Sequence, residues 1–276
     1  MKFYMSYWSG GYHKKPSEYI VNLHKLSAYL ILKNYGEVHM ITDSNSIDSF
    51  KDINFTTITT DLDSLPQHNY NWALGKIQAY RIIAEKNEPF LHLDYDVFMW
   101  EKLPDQFLKN EVFAQEKEND IKLYNIEQLR INLKNNYILD FNFNKAYNMG
   151  IFGGNNTEFI KKYAESSYNF STDEENRIAF EYQNNSCFHC VAVTCEQYYL
   201  HQASKYWNIP VSVLFNSYLS TNNNKCYTHL IGYKEDPTIK EKVYKKLKSL
   251  KLICIPYLFS LIVTSLWFDK IRNISI

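Results

Sequence analysis

Two carboxylates one residue apart, Asp94 and Asp96, close the apolar run Phe90-Leu91-His92-Leu93, and Val97-Phe98 follow at once. Leu91, Leu93 and the preceding Pro89-Phe90 read as a short buried strand after a helix, so the pair stands where that strand leaves the core. In open α/β sheets the carboxyl ends of the strands are where ligands bind. Carboxylates this close repel each other unless a cation lies between them, and the pair therefore suits a divalent metal with oxygen ligands. A simple turn, with an Asp capping the next element, is the competing reading. Later stretches carry more polar chemistry. Asn148, Gly150, Gly153 and Gly154 interrupt an apolar segment over 146–155, either because its backbone passes close to something or because it is a bulged strand. Glu196-Gln197 falls in a helix read over 191–206. His229, Gly232 and Lys234 set an imidazole, a bare backbone and an ammonium close together. A neutral His ligates metals and a Lys donates to phosphate, although a lone His is more often structural than a ligand.

These residues need a frame, and the pattern supplies one. Residues 2–9 read as a first strand running into Gly10-Gly11, a flexible turn where backbone can approach a ligand. Ser17 caps a helix that ends at Gly36, and 37–42 form a second strand, which is the βαβ unit of a parallel sheet. A third strand at 55–60 and a helix over 72–85, carrying Lys76 and Arg81, lead into the strand of the aspartate pair. Residues 111–115 read as another strand, 117–145 as a polar loop or helical excursion, 157–169 as a helix and 210–215 as a strand. The expected fold is α/β, a mixed and mainly parallel sheet flanked by helices.

Composition narrows the partners. The 276 residues carry 30 basic and 30 acidic side chains, so no net field recommends nucleic acid. A hydrophobic share of 45% is that of a folded globular chain. The 23 Tyr and 17 Phe would suit a cleft for sugars or nucleobases, which stack on rings, but biased codon usage accounts for them as well. Cys187 and Cys190 make a C-x-x-C without a second pair, so buried free thiols in a reducing compartment are expected rather than a zinc site. The N-terminus has no signal-peptide pattern, which points to the cytoplasm. From Thr238 the chain turns basic and amphipathic: Ile239, Val243, Leu247 and Leu250 form a stripe among Lys240, Lys242, Lys245, Lys246, Lys248 and Lys251. An apolar segment over 252–268 follows. Residues 238–276 thus read as a segment apart from a 1–237 catalytic domain, which either attaches peripherally to an anionic membrane at its inner face or docks on the core.

Taken in order, the motifs resemble those of the GT-A-fold glycosyltransferases, and most of all the retaining group that includes glycogenin and the bacterial lipopolysaccharide galactosyl- and glucosyltransferases. Leu93-Asp94-Tyr95-Asp96 is similar to that group's D-x-D motif, Asn148-Met149-Gly150 to its N-x-G strand, Glu196-Gln197 to its Asp-Gln pair, and His229-Leu230-Ile231-Gly232-Tyr233-Lys234 to its H-x-x-G-x-K pattern. The resemblance implies a hexosyltransferase with Asp94, Asp96 and His229 around Mn2+ or Mg2+. It further implies Tyr95, Gly150, Gly232 and Lys234, with Lys76 by a looser alignment, toward a nucleotide sugar, UDP-sugar favoured. Asn148, Glu196 and Gln197 would stand at the sugar and acceptor end, the acceptor being a glycan or lipid-linked. Two departures stand out: Glu196 replaces the family's Asp, and Trp8-Ser9-Gly10-Gly11 is no clear nucleotide-binding motif. Retention is expected from the H-x-x-G-x-K pattern, whereas in an inverting enzyme Glu196 would be the base. A sugar-phosphate nucleotidyltransferase and an inactive GT-A-like binding module are the alternatives.

Overall fold

The computed structural model describes residues 1–12, 14–66, 71–119, 124–186, 190–216 and 226–252. In chain order its strands are β1 (Lys2–Ser6), β2 (His39–Ile41), β3 (Thr57–Thr59), β4 (Phe90–Leu93), β5 (Val97–Met99), β6 (Phe113–Glu118), β7 (Ala146–Gly154), β8 (Ser212–Phe215) and β9 (Tyr227–His229). The longer helices are α1 (Glu18–Tyr35), α2 (Leu74–Ala84), α3 (Ile126–Asn132), α4 (Thr157–Thr172), α5 (Arg177–Ser186), α6 (Tyr199–Tyr206) and α7 (Pro237–Ser249). Seven strands make one sheet in the order β3-β2-β1-β4-β7-β6-β8, parallel except that β7 runs against both its neighbours. β5 and β9 form a separate antiparallel ribbon. This is the mixed, mainly parallel α/β sheet that the sequence calls for.

Both faces of the sheet are covered, which is why β4 and β7 are buried along their whole length. On one side Ile77 and Tyr80 of α2, with Ile160 and Tyr163 of α4, pack on Phe90 and Phe152. On the other, Ala28 and Ile31 of α1 meet Phe3, Met5, Leu91 and Ile151. α1 begins where Ser17 accepts from the Ile20 N–H and stops at Gly36, whose φ of 88° is open to glycine at little cost. At Gly153, φ is 156° and an added Cβ would stand 2.0 Å from the Phe90 carbonyl oxygen, so β4 and β7 pair this closely because a side chain is missing.

Several expectations are corrected by the packing. The first strand ends at Ser6, and Ser9–Tyr12 is a helical turn. Gly10 and Gly11 are buried in it, where added Cβ atoms would lie 2.5 Å from the Trp8 indole and 2.7 Å from the Trp72 Cα. Their small size admits two indoles. The register of β6 and β7 shifts where the two steps from Ala114 to Glu116 face the four from Phe152 to Asn148, so the bulge lies in glycine-bearing β7, as the bulged-strand reading expects. The polar stretch after 117 completes β6 and then forms α3. Residues 120–123 lie outside the described part, as do Cys187, Cys254 and the tail beyond Leu252. Cys190 and Cys195 are both buried.

α7 starts with Pro237 behind Asp236, whose carboxylate accepts from the Thr238 and Ile239 N–H groups. Its apolar stripe, Ile239, Val243 and Leu247, packs on Leu23, Leu26 and Leu30 of α1 and on Phe98 and Leu230. Among the described residues no helix is long and apolar enough to cross a membrane. Leu247 is completely buried; Leu247→Ala is expected to lower the unfolding free energy of the full chain by about 2–5 kcal/mol in urea titrations. An unchanged midpoint would mean that α7 is no part of the folding unit.

Candidate metal centre

The aspartate pair sits in the turn between β4 and β5. The Asp94 N–H donates to the Gly150 carbonyl at 2.9 Å, and the Val97 N–H to the Asp94 carbonyl at 3.1 Å. The β5–β9 ribbon then sets Val97 opposite His229, and the Leu230 N–H donates to the Asp96 carbonyl at 3.1 Å. Residues more than a hundred positions apart are joined in this way. One donor atom from each of Asp94, Asp96 and His229 lies within 4.8 Å of the others.

The imidazole is aimed. Its Nδ1 lies 2.7 Å from Gln115 Oε1, which also accepts from the Tyr227 hydroxyl at 2.7 Å. Gln115 Nε2 donates to Glu116, so the amide cannot turn round and His229 Nδ1 must carry the proton. Nε2 is left with its lone pair 3.5 Å from Asp96 Oδ1. Gln115 faces the bulge of β7, where the extra residues include Gly150. Gly150 completes the cradle: a Cβ there would stand 2.4 Å from the imidazole and 2.5 Å from Gln115 Oε1, so the ring lies against bare β7 backbone. Two carboxylates and one imidazole with a free lone pair fit a divalent ion such as Mn2+ or Mg2+.

Two ammonium groups balance the carboxylates. Lys234 Nζ is 3.0 Å from Asp96 Oδ2 and sits over the Tyr95 ring, which stacks on His24 with centroids 4.9 Å apart. Lys76 Nζ bridges Asp94 Oδ1 at 2.7 Å and Glu196 Oε1 at 2.6 Å. Burial opposes ionisation of Asp96, but the Lys234 ammonium outweighs it and holds the carboxyl well below the usual carboxylate range. Burial likewise works against charge on both lysines. Asp94 and Glu196 reverse that for Lys76, and Asp96 for Lys234, so both are pushed up and stay charged. For Glu196 burial wins: its carboxyl is pushed up, and Lys76 offsets this only in part.

Asp94, Asp96, His229, Lys76, Tyr95, Asn148, Gln197, Gly232 and Lys234 all line one cleft of about 250 Å³. Glu196 does not. It is wholly buried, accepts from the Tyr80 hydroxyl at 2.8 Å, and reaches the cleft through Lys76. Gly150 lies beneath the imidazole rather than on the wall, and Gly232 has φ +71° with nothing near its Cβ position, so it serves the turn. Sequence reasoning missed Gln115, and it missed the aromatic end of the cleft. There Tyr7 and Tyr12 stack at 5.3 Å and 15°, and Tyr12 and Trp72 at 6.0 Å and 19°. The aromatic first strand was a signal for that end. Nothing in a short strand pattern singles out Gln115.

The chain belongs to the family of unknown function DUF6734, whose model matches residues 1–254. No curated protein matches it. Among solved structures it is similar to galactosyltransferase LgtC, crystallised in complex with donor and acceptor sugar analogs. The identity is 12% and the TM-score 0.48, over 98% of this chain and 100% of that one.

Replacing Gln115 by Ala frees the ring that it aims, and Mn2+ affinity, followed by the loss of free-ion electron paramagnetic resonance signal, is expected to fall about 10–100-fold with the fold retained. Unaltered affinity would remove His229 from the ligand set.

Proposed function

We propose that this protein is a metal-dependent glycosyltransferase. It moves a sugar from a nucleotide-diphosphate sugar, UDP-sugar favoured, to a hydroxyl of a glycan or lipid-linked acceptor, with retention. The observation that carries this reading is the convergence of Asp94, Asp96 and His229 with Lys234 along one edge of a cleft whose other walls are Gln197 and Asn148 on one side and a stack of aromatic rings on the other.

A divalent ion held by Asp94, Asp96 and His229 would supply positive charge for the departing diphosphate. Lys234 stands at the same edge and adds a second, fixed charge, in a partly dry site where such charge acts strongly. Lys76 holds Asp94 in its rotamer, and Glu196 holds Lys76. The aromatic end of the cleft suits a nucleobase, which packs well against rings. Glu196 presents no oxygen to the cleft, which speaks against the inverting role and for retention, where a phosphate oxygen of the leaving group takes the acceptor's proton. Lys245 and Lys248 are exposed on α7, which suits an anionic membrane face carrying a lipid-linked acceptor.

The test is calorimetry with a panel of UDP-, GDP- and dTDP-sugars in the presence and absence of Mn2+, followed by assay for released nucleotide. Mn2+-dependent binding of one class and slow release of its nucleoside diphosphate are expected, and Asp96→Asn should abolish the metal-dependent part while the protein stays folded. Binding of none of them would refute the proposal, and release of inorganic pyrophosphate would mean nucleotidyl transfer instead.

A further inference from the structure

Beside the metal centre, four side chains form a hydrogen-bonded line with a fixed sense. It starts at a group that cannot turn round, the backbone N–H of Gly150, which donates to Asn148 Oδ1 at 3.0 Å. Asn148 must then present its NH2, and Nδ2 lies 3.2 Å from Glu118 Oε1. The other carboxylate oxygen, Glu118 Oε2, takes the Tyr124 hydroxyl at 2.5 Å. The same phenol oxygen is 2.7 Å from the Gln197 amide atom placed as Oε1. A phenol has one proton, and Glu118 has it. The amide end facing Tyr124 must therefore be the NH2, donating to the phenol oxygen, because oxygen and nitrogen of an amide are told apart by their partners. Gln197 then turns its carbonyl oxygen into the cleft that it lines.

We infer that Glu118 and Tyr124 are positioning residues that set which end of the Gln197 amide faces the ligand. Nothing in the D-x-D or H-x-x-G-x-K pattern touches them. Tyr124 is itself held in place. Its carbonyl accepts from Gln183 Nε2 at 2.7 Å, and the same nitrogen reaches Thr194 Oγ1 at 2.9 Å, at the start of the turn that carries Gln197. The inference deepens the glycosyl-transfer reading and rests on it for its consequence. As the leaving group departs, the donor sugar gains positive charge. A carbonyl oxygen aimed into the cleft stabilises that charge, and an NH2 there opposes it.

The line contains its own test, since a carboxylate accepts from both sides and reverses the sense of the hydrogen bonds, whereas an amide passes the sense along. In Glu118→Gln, Asn148 still donates to residue 118, which now donates to Tyr124. The phenol donates to Gln197, and Gln197 turns its NH2 to the cleft. Every hydrogen bond is kept, so the variant is expected to melt with the native protein, while kcat falls about 100-fold at a nearly unchanged KM for the UDP-sugar that the native protein uses with Mn2+. In Glu118→Gln/Gln197→Glu the phenol donates to the new carboxylate, which offers an oxygen to the cleft again, and kcat is expected to recover at least about 10-fold over the single variant. A single variant as active as the native protein, or a folded double variant no better than the single one, would overturn the inference. A native protein inactive on every nucleotide sugar would overturn the functional reading, and the inference is then decided by side-chain amide exchange in nuclear magnetic resonance of the full chain. The Gln197 NH2 is expected to exchange about 10-fold more slowly in the native protein than in Glu118→Gln, and equal rates would refute it.

Discussion

Two carboxylates at the end of one buried strand set the terms for everything around them. Asp96 is 2% exposed, and charge so placed is tolerated only when it is paired and hydrogen-bonded. The chain meets the demand from distant places: Lys76 from α2 for Asp94, and Lys234 and His229 from beyond β9 and its end for Asp96. That need accounts for the small β5–β9 ribbon, whose register sets Val97 against His229 and closes the site over the sheet edge. It accounts for Gly150 too, since any side chain there would lift the imidazole away. The metal reading follows from the same electrostatics. A dication suits the pair because one oxygen of each carboxylate and one imidazole nitrogen lie within 4.8 Å of one another.

A second constraint is the π-helical turn Thr194–Tyr198. Side-chain hydroxyls tie its carbonyls to α4: Tyr163 donates to the Glu196 carbonyl at 2.8 Å and Ser167 to that of Cys195 at 2.6 Å. The turn sends neighbouring residues in opposite directions. Glu196 points into the core, to Lys76 and Tyr80, while Gln197 faces the cleft and meets Tyr124. An acidic residue and an amide side by side in sequence thus act through different partners.

Much of this was legible in the sequence, for physical reasons that differ by element. The alternation of strands and helices through the first hundred residues reflects burial on both faces of a sheet, and apolar runs record that directly. Asp94 and Asp96 stood out because a strand rarely ends in two like charges without a counter-charge. The burial of Glu196 was hidden, since a carboxylate in a helix gives no sign of the lysine and phenol that surround it. Gln115 was hidden for a similar reason: the bulge it faces is on β7, and no pattern local to β6 reports it. Gly10 and Gly11 misled, because a glycine pair looks the same whether it makes room for a ligand or for Trp8 and Trp72. The stripe of α7 was read correctly as apolar, but only its partner α1 shows what that stripe is for.

The central claim is that Asp94, Asp96 and His229 form one metal shell, closed by a residue from far along the chain. Pulsed electron paramagnetic resonance of the full-length protein loaded with one equivalent of Mn2+ tests it most directly. The account predicts nitrogen modulation from a single imidazole, lost in His229→Ala and kept when His24 or His92 is replaced. Bound Mn2+ with no nitrogen coupling, or with coupling that survives the loss of His229, would contradict it.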